Sequence, residues 1–165
     1  MVRRAAICLS ALGCLLLAAT TSADPVGLVG APAPEIRARP LDGDRPIGLD
    51  DYRGEVVLVA FVATWCRACR RIAPELDELL ARHRAEGLRI VAMTHEPRNR
   101  IRAHVAELDP AVPWLQCTGR TALRYGADGL PTLVLIDRAG VVRAAYQGAN
   151  RRVVARLRRA LGAVL

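Results

Sequence analysis

Phe61-Val62-Ala63-Thr64-Trp65-Cys66-Arg67-Ala68-Cys69-Arg70-Arg71-Ile72-Ala73-Pro74-Glu75-Leu76 changes its periodicity halfway along. The run from Val56 to Val62 that feeds it is apolar and β-branched without a break, the pattern of a strand buried on both faces. After Cys69 the apolar residues fall at helical spacing: Ile72, Leu76, Leu79 and Leu80 form one stripe. The two cysteines therefore sit where a buried strand ends and a helix opens. Unpaired N–H groups and the macrodipole favour an anion there, and a thiolate is one. Cys66, nearer the terminus, is the expected nucleophile, with a pKa below the free value of roughly 8.5. Arg67 adds a fixed positive charge beside it and is assigned a pKa-tuning role. Cys69, one turn on, is expected to be more buried and to act as the resolving thiol.

Working outward, residues 66–85 read as a long helix stopped at Gly87, and residues 88–93 as the next buried strand. Residues 98–108 read as a helix with Ile101, Val105 and Leu108 in line. Residues 112–117 suit a short strand, 121–125 a short helix and 132–137 another apolar strand. A turn at Asp137-Arg138-Ala139-Gly140 returns the chain as a hairpin over 141–147. Asn150 can cap a terminal helix that aligns Val153, Val154, Leu157 and Leu161. Upstream, residues 35–38 and 46–49 read as an N-terminal β-hairpin. Strand, helix, strand, helix, hairpin, helix gives an α/β fold with a mixed central sheet flanked by helices.

The 165 residues suffice for one domain. All 24 basic residues are arginine, and the formal charge is +8. Such a bias alone speaks to solubility and loose association. Residues 1–23 read as a signal peptide: Arg3 and Arg4, then apolar residues 5–19, then small residues before Asp24. The competing reading is an uncleaved membrane anchor, although the apolar run is short for a span. Residues 24–34, rich in Gly, Pro and Ala, read as a linker, and residues 35–165 as the folded domain. Cys8 and Cys14 fall in the signal segment, which leaves Cys66, Cys69 and Cys117. Three cysteines make no disulfide framework, and Cys117 reads as a small buried hydrophobe. A zinc site needs four ligands; no second Cys-x-x-Cys exists, and His83, His95 and His104 form no close pair, so no metal is expected. The sequence shows no phosphate-binding glycine loop, no Ser-His-Asp set and no RNA-stacking motif.

Trp65-Cys66-Arg67-Ala68-Cys69, the strand before it, Pro74 after it and Gly129-Leu130-Pro131-Thr132 downstream resemble the thioredoxin superfamily. Asp50-Asp51-Tyr52-Arg53-Gly54-Glu55 and the strand at 132–137 narrow this to the exported TlpA/ResA-type thiol–disulfide oxidoreductases. The resemblance implies a thioredoxin-like fold with an N-terminal β-hairpin and a strand–helix insertion, and redox exchange without a cofactor. It implies protein dithiol or disulfide substrates in the periplasm or cell envelope, for example in cytochrome c or copper-site maturation. An upstream electron donor, no nucleic acid, transient membrane contact and a monomer complete the expected partners. It also implies a cis bond before Pro131, with Trp65, Leu130 and Pro131 contacting substrate. Two positions depart from the family. Ala68 stands where a proline commonly precedes the second cysteine, which frees a backbone N–H. Ala60 stands where thioredoxins proper carry a buried carboxylate that handles the second thiol's proton. His95 and Glu96 are the nearby substitutes, although solvated loop residues are the plainer reading of both. A peptide-binding module with little redox turnover is the alternative function. A peroxide-reducing relative lacks support, because no Pro-x-x-x-(Thr/Ser)-x-x-Cys pattern is present.

Overall fold

A computed structural model describes residues 27–43 and 45–165; the expected signal segment lies outside the described residues. In chain order the elements are β1 (Arg39–Pro40), β2 (Val56–Phe61), α1 (Arg67–His83), β3 (Leu88–Thr94), α2 (Arg98–Leu108), β4 (Trp114–Gln116), α3 (Gly119–Arg124), β5 (Thr132–Ile136), β6 (Val142–Gln147) and α4 (Arg151–Gly162). The six strands form one sheet in the order β1-β4-β3-β2-β5-β6. β2, β3 and β4 are parallel, and β5 runs antiparallel to both β2 and β6. This is the expected mixed α/β sheet.

The unbroken apolar runs are explained by their place. All six residues of β2 and all five of β5 are buried, because helices cover both faces. One face packs Leu58, Ala60, Leu88, Ile90, Leu133 and Leu135 under Ile72 and Leu76 of α1 and Val153, Leu157 and Leu161 of α4. The other packs Val57, Val59, Phe61, Met93, Val134 and Ile136 around Tyr125, whose ring lies 5.3 Å from that of Phe61. The steps from β2 to β3 and from β3 to β4 move the same way across the sheet, so right-handed crossovers put α1 and α2 on one face.

The ends of the elements follow their chemistry. After α1 a single 3-10 turn runs to Gly87, whose φ of 89° is left-handed and ends the helix where predicted. Asn150 caps α4 by accepting the Val153 N–H at 3.0 Å. Asp137 accepts the N–H groups of Ala139 and Val141, both at 2.9 Å, and so builds the turn between β5 and β6. At the opposite end from the cysteines, Arg138 donates to the carbonyls of Gly54, Glu86 and Leu165 and ties three segments together.

Three expectations are corrected. The N-terminal hairpin is reduced to one bridge, Ala38 with Ile47, while β1 instead pairs with β4. Pro40 and Pro46 flank that bridge and donate nothing to a ladder, so it cannot lengthen. Of the stripe expected on α2 only Ile101 is buried, and Leu108 is exposed. The strand beneath α2 is only three residues long and offers a small face. Within the stretch read as a linker, the Gly30 and Ala33 N–H groups bond to Val142 and Gly140 carbonyls, so its described part lies along the β6 edge.

Candidate functional site

Cys66 is the N-cap of α1 and Cys69 lies in its first turn. The two are joined by a disulfide, with Cα atoms 5.2 Å apart. The Cys66 sulfur accepts the Cys69 backbone N–H at 3.1 Å. In the reduced protein the same N–H faces the position of a Cys66 thiolate, and the helix terminus adds its field. Cys66 and Cys69 are each only 5% exposed, so the second is not the more buried of the two. The cross-link folds the Cys66 side chain back over the first turn, which covers it. Trp65, by contrast, stands 67% exposed beside them.

The disulfide separates two hollows. One, about 270 Å³, is lined by Trp65, Cys66, His95, Cys117, Asp128 and Leu130, among others. Leu130 precedes a cis peptide bond to Pro131. That loop is held by the Thr132 hydroxyl, which donates to the Gly129 carbonyl at 2.6 Å, and by the Gly148 N–H, which donates to the Pro131 carbonyl at 2.8 Å. Gln147 donates to Asp128 at 2.9 Å along the same rim. Trp65, Cys66 and Leu130 thus line one hollow. Cys117 is 7% exposed, and burial pushes its thiol up to about 11, so it stays protonated at neutral pH.

The second hollow, about 230 Å³, lies on the Cys69 side and is mostly apolar. Ala63, Ala73 and Ala92 line it with Trp114 and Val112; these small side chains leave the space. Ala60 pairs with Ala92 and Leu133 in the strands beneath, so no carboxylate stands in the sheet at that place. The titratable groups sharing this hollow with Cys69 are Arg70, Asp77 and His104. Asp77 accepts the Val112 N–H at 3.0 Å, and the His104 ring meets Trp114 edge-on at 4.9 Å.

Glu96 does not behave as a solvated loop residue. Its side chain is 7% exposed and accepts the Thr64 N–H at 2.7 Å, the Thr64 hydroxyl at 2.9 Å and the Thr94 hydroxyl at 3.3 Å. Arg100 lies 3.6 Å away. Burial opposes its charge, but the Thr64 and Thr94 donors and Arg100 outweigh that and hold the carboxyl below its usual range. Glu96 therefore stays ionised and clamps the loop that delivers Cys66; it does not line the hollow at Cys69. His95 is exposed and lies on the Cys66 side. No sequence spacing links Thr64 to Glu96, since they meet only because β2 and β3 are adjacent and in register. Among the described residues no cluster of three or more His, Cys, Asp or Glu could hold a metal, and no helix is long and apolar enough to cross a membrane.

Residues 29–145 match the AhpC/TSA family. The thiol-disulfide oxidoreductase ResA of Geobacillus thermodenitrificans is 32% identical over 142 residues, covering 85% of this chain and 81% of that one. The thioredoxin-like protein YneN of Bacillus subtilis is 29% identical over 134 residues, 78% of each chain. A crystal structure described as a thiol:disulfide interchange protein DsbE from Chlorobium tepidum superposes with a TM-score of 0.77 at 28% identity, covering 82% of this chain and 96% of the other. The strand-to-helix cysteine pair and these likenesses agree, and the chain belongs to the AhpC/TSA family, as a thiol–disulfide oxidoreductase with the thioredoxin fold.

Proposed function

We propose that the protein works as an exported reductase of cell-envelope disulfides, through Cys66 and Cys69. The observation that carries this is the disulfide at the N-cap of α1, flanked by exposed Trp65 and by the loop at Leu130. In the reduced protein the Cys66 thiolate attacks one sulfur of a partner disulfide. A mixed disulfide forms and one partner thiolate leaves. Cys69 then loses its proton and attacks the Cys66 sulfur, which releases the second partner thiol and closes the Cys66–Cys69 bond. Two electrons have passed to the partner, and an upstream dithiol donor returns them. Trp65, Leu130 and Pro131 hold the partner chain across Cys66, with Leu130 offering its backbone as a strand-like contact. Arg67 favours the thiolate.

Residues 1–23 act as the signal peptide, with cleavage after Ala23, and place the pair in the periplasm or its equivalent. Cytochrome c and copper-site precursors are the substrate classes to test first. Reduction of insulin by the protein, driven by dithiothreitol, is the direct assay. Turnover that disappears in Cys66→Ser supports the reading; an inert wild type would leave a peptide-binding module instead.

A further inference from the structure

Five arginines crowd the end of the molecule that carries the disulfide. β2 and β6 both run antiparallel to β5, so they run parallel to each other, and each feeds a helix back along the same face of the sheet. α1 and α4 therefore point the same way. Arg158 of α4 fixes their register through Nε and Nη2 contacts to the Glu75 carboxylate of α1 at 2.5 and 2.8 Å. Counting back along both helices, Arg151 and Arg152 of α4 come level with the first turn of α1, which carries Arg67, Arg70 and Arg71. All five are exposed, and among the described residues none has a carboxylate within ion-pair distance.

This placement works against the helices. Cations at a helix N-terminus oppose the macrodipole, most strongly within the first turn. Neither helix has an acidic residue in that turn. The acids of α1 lie further on and are already engaged, Glu75 with Arg158, Glu78 with Arg82 and Asp77 with the Val112 N–H. Many arginines elsewhere have partners: Arg143 pairs with Asp137, Arg89 with Glu55, and Arg138 with three carbonyls. A uniform compositional bias does not explain bare cations gathered where they cost stability. The hollow that Cys66 lines carries a single carboxylate, Asp128, held at its rim by Gln147.

The geometry points to an acidic peptide segment as the preferred partner: its cysteine sits over Cys66, and its Asp or Glu residues lie across the starts of α1 and α4. This rests on the exchange reaction proposed above and adds the class of substrate. Electrostatic complementarity of this kind acts mainly on the rate of encounter, which it raises by tenfold or more at low salt.

The test uses the reduced protein and three short peptides, each with one cysteine held as a mixed disulfide with 2-mercaptoethanol. Four Asp, four Ser or four Arg residues flank the cysteine. Rates for each protein variant are divided by that variant's rate with neutral bis(2-hydroxyethyl) disulfide, which removes any change in Cys66 reactivity. The Asp peptide should react about tenfold faster than the Ser peptide at low salt, and the Arg peptide slower than both, with the differences collapsing near 0.5 M salt. R151E/R152E should lose most of the Asp preference. Glutamate is favourable in a first helical turn, so this variant should fold at least as well as the wild type. Equal Asp and Ser rates at low salt, with the neutral disulfide still reacting, would overturn the inference alone. So would an Asp preference unchanged in both R151E/R152E and R70E/R71E. If the peptides are not distinguished but the protein sediments with phosphatidylglycerol vesicles through these arginines, the surface belongs to a membrane and the inference fails. No reaction with the neutral disulfide would overturn the exchange reading and this one together.

Discussion

At the scale of single residues, the division of labour between the cysteines is the first thing to measure. Cys66 has the helix terminus and the Cys69 N–H at 3.1 Å, and on the proposed reading Arg67 as well, to favour its thiolate, whereas Cys69 faces an apolar hollow. Cys66→Ser should abolish exchange. Cys69→Ser should keep the first attack, lose the escape step and accumulate as a mixed disulfide visible by mass spectrometry. Alkylation of Cys69→Ser should stay fast well below pH 8.5, and that of Cys66→Ser should not. A faster, more acidic Cys69 would reverse the roles. Glu96 supplies a second prediction. Replacing it with Gln keeps one acceptor for Thr64 and removes the charge, which should cost about 1–3 kcal/mol near pH 7 in urea unfolding. A carboxyl whose pKa is lowered by folding stabilises the protein fully above its unfolded value, and the gain is lost as pH falls through the folded value. The gap between wild type and Glu96→Gln should therefore narrow below about pH 4. A gap independent of pH would mean that packing, and not charge, is what Glu96 contributes.

Among the elements, α1 and α4 carry the face of the core that positions the disulfide. Leu157 of α4 is fully buried in the cluster that also contains Cys66 and Cys69. Leu157→Ala should cost about 2–5 kcal/mol, seen as a lower urea midpoint with an unchanged slope. A cost below about 1 kcal/mol would mean that α4 is peripheral to that core. These elements were also the most legible in the sequence. β2, α1, β3, α2, β5, β6 and α4 each follow a period or a run long enough to identify. What stayed hidden was set by contacts between elements. The bridge at Ala38 could not grow into a hairpin beside two prolines, and Leu108 lost its cover because β4 is short. From the sequence Glu96 reads as solvated because a buried carboxylate is defined by its donors, and the two shortest come from Thr64, in the loop after a different strand. The cysteine pair was plain because its chemistry depends on neighbours in sequence. The hollow beside Cys69 was not, because three alanines and a tryptophan from four separate segments make it.

For the whole molecule, the charge distribution bears on the redox couple itself. Wherever Cys66 is ionised, reduction of the pair places a thiolate there, whereas the disulfide is uncharged. The positive end formed by Arg67, Arg70, Arg71, Arg151 and Arg152 therefore favours the reduced form, as do the two helix termini beside it. Unit charges on the order of 10 Å apart in water interact by about 0.4 kcal/mol, so five of them contribute about 1–2 kcal/mol at low ionic strength. For a two-electron couple that is about 30 mV. Most of it is screened once the Debye length falls to about 4 Å near 0.5 M salt. The potential of the Cys66–Cys69 couple against a glutathione series should thus become more reducing by about 30 mV between 0.02 and 0.5 M salt. The shift should shrink in R151E/R152E, which changes the field at that end without touching either cysteine. It should also fade below the pKa of Cys66, where the reduced pair carries no charge. A potential that did not move with salt would show that the thiolate is stabilised only by its immediate neighbours, the Cys69 N–H and the terminus of α1, and that the arginine end of the protein acts on partners and not on the couple.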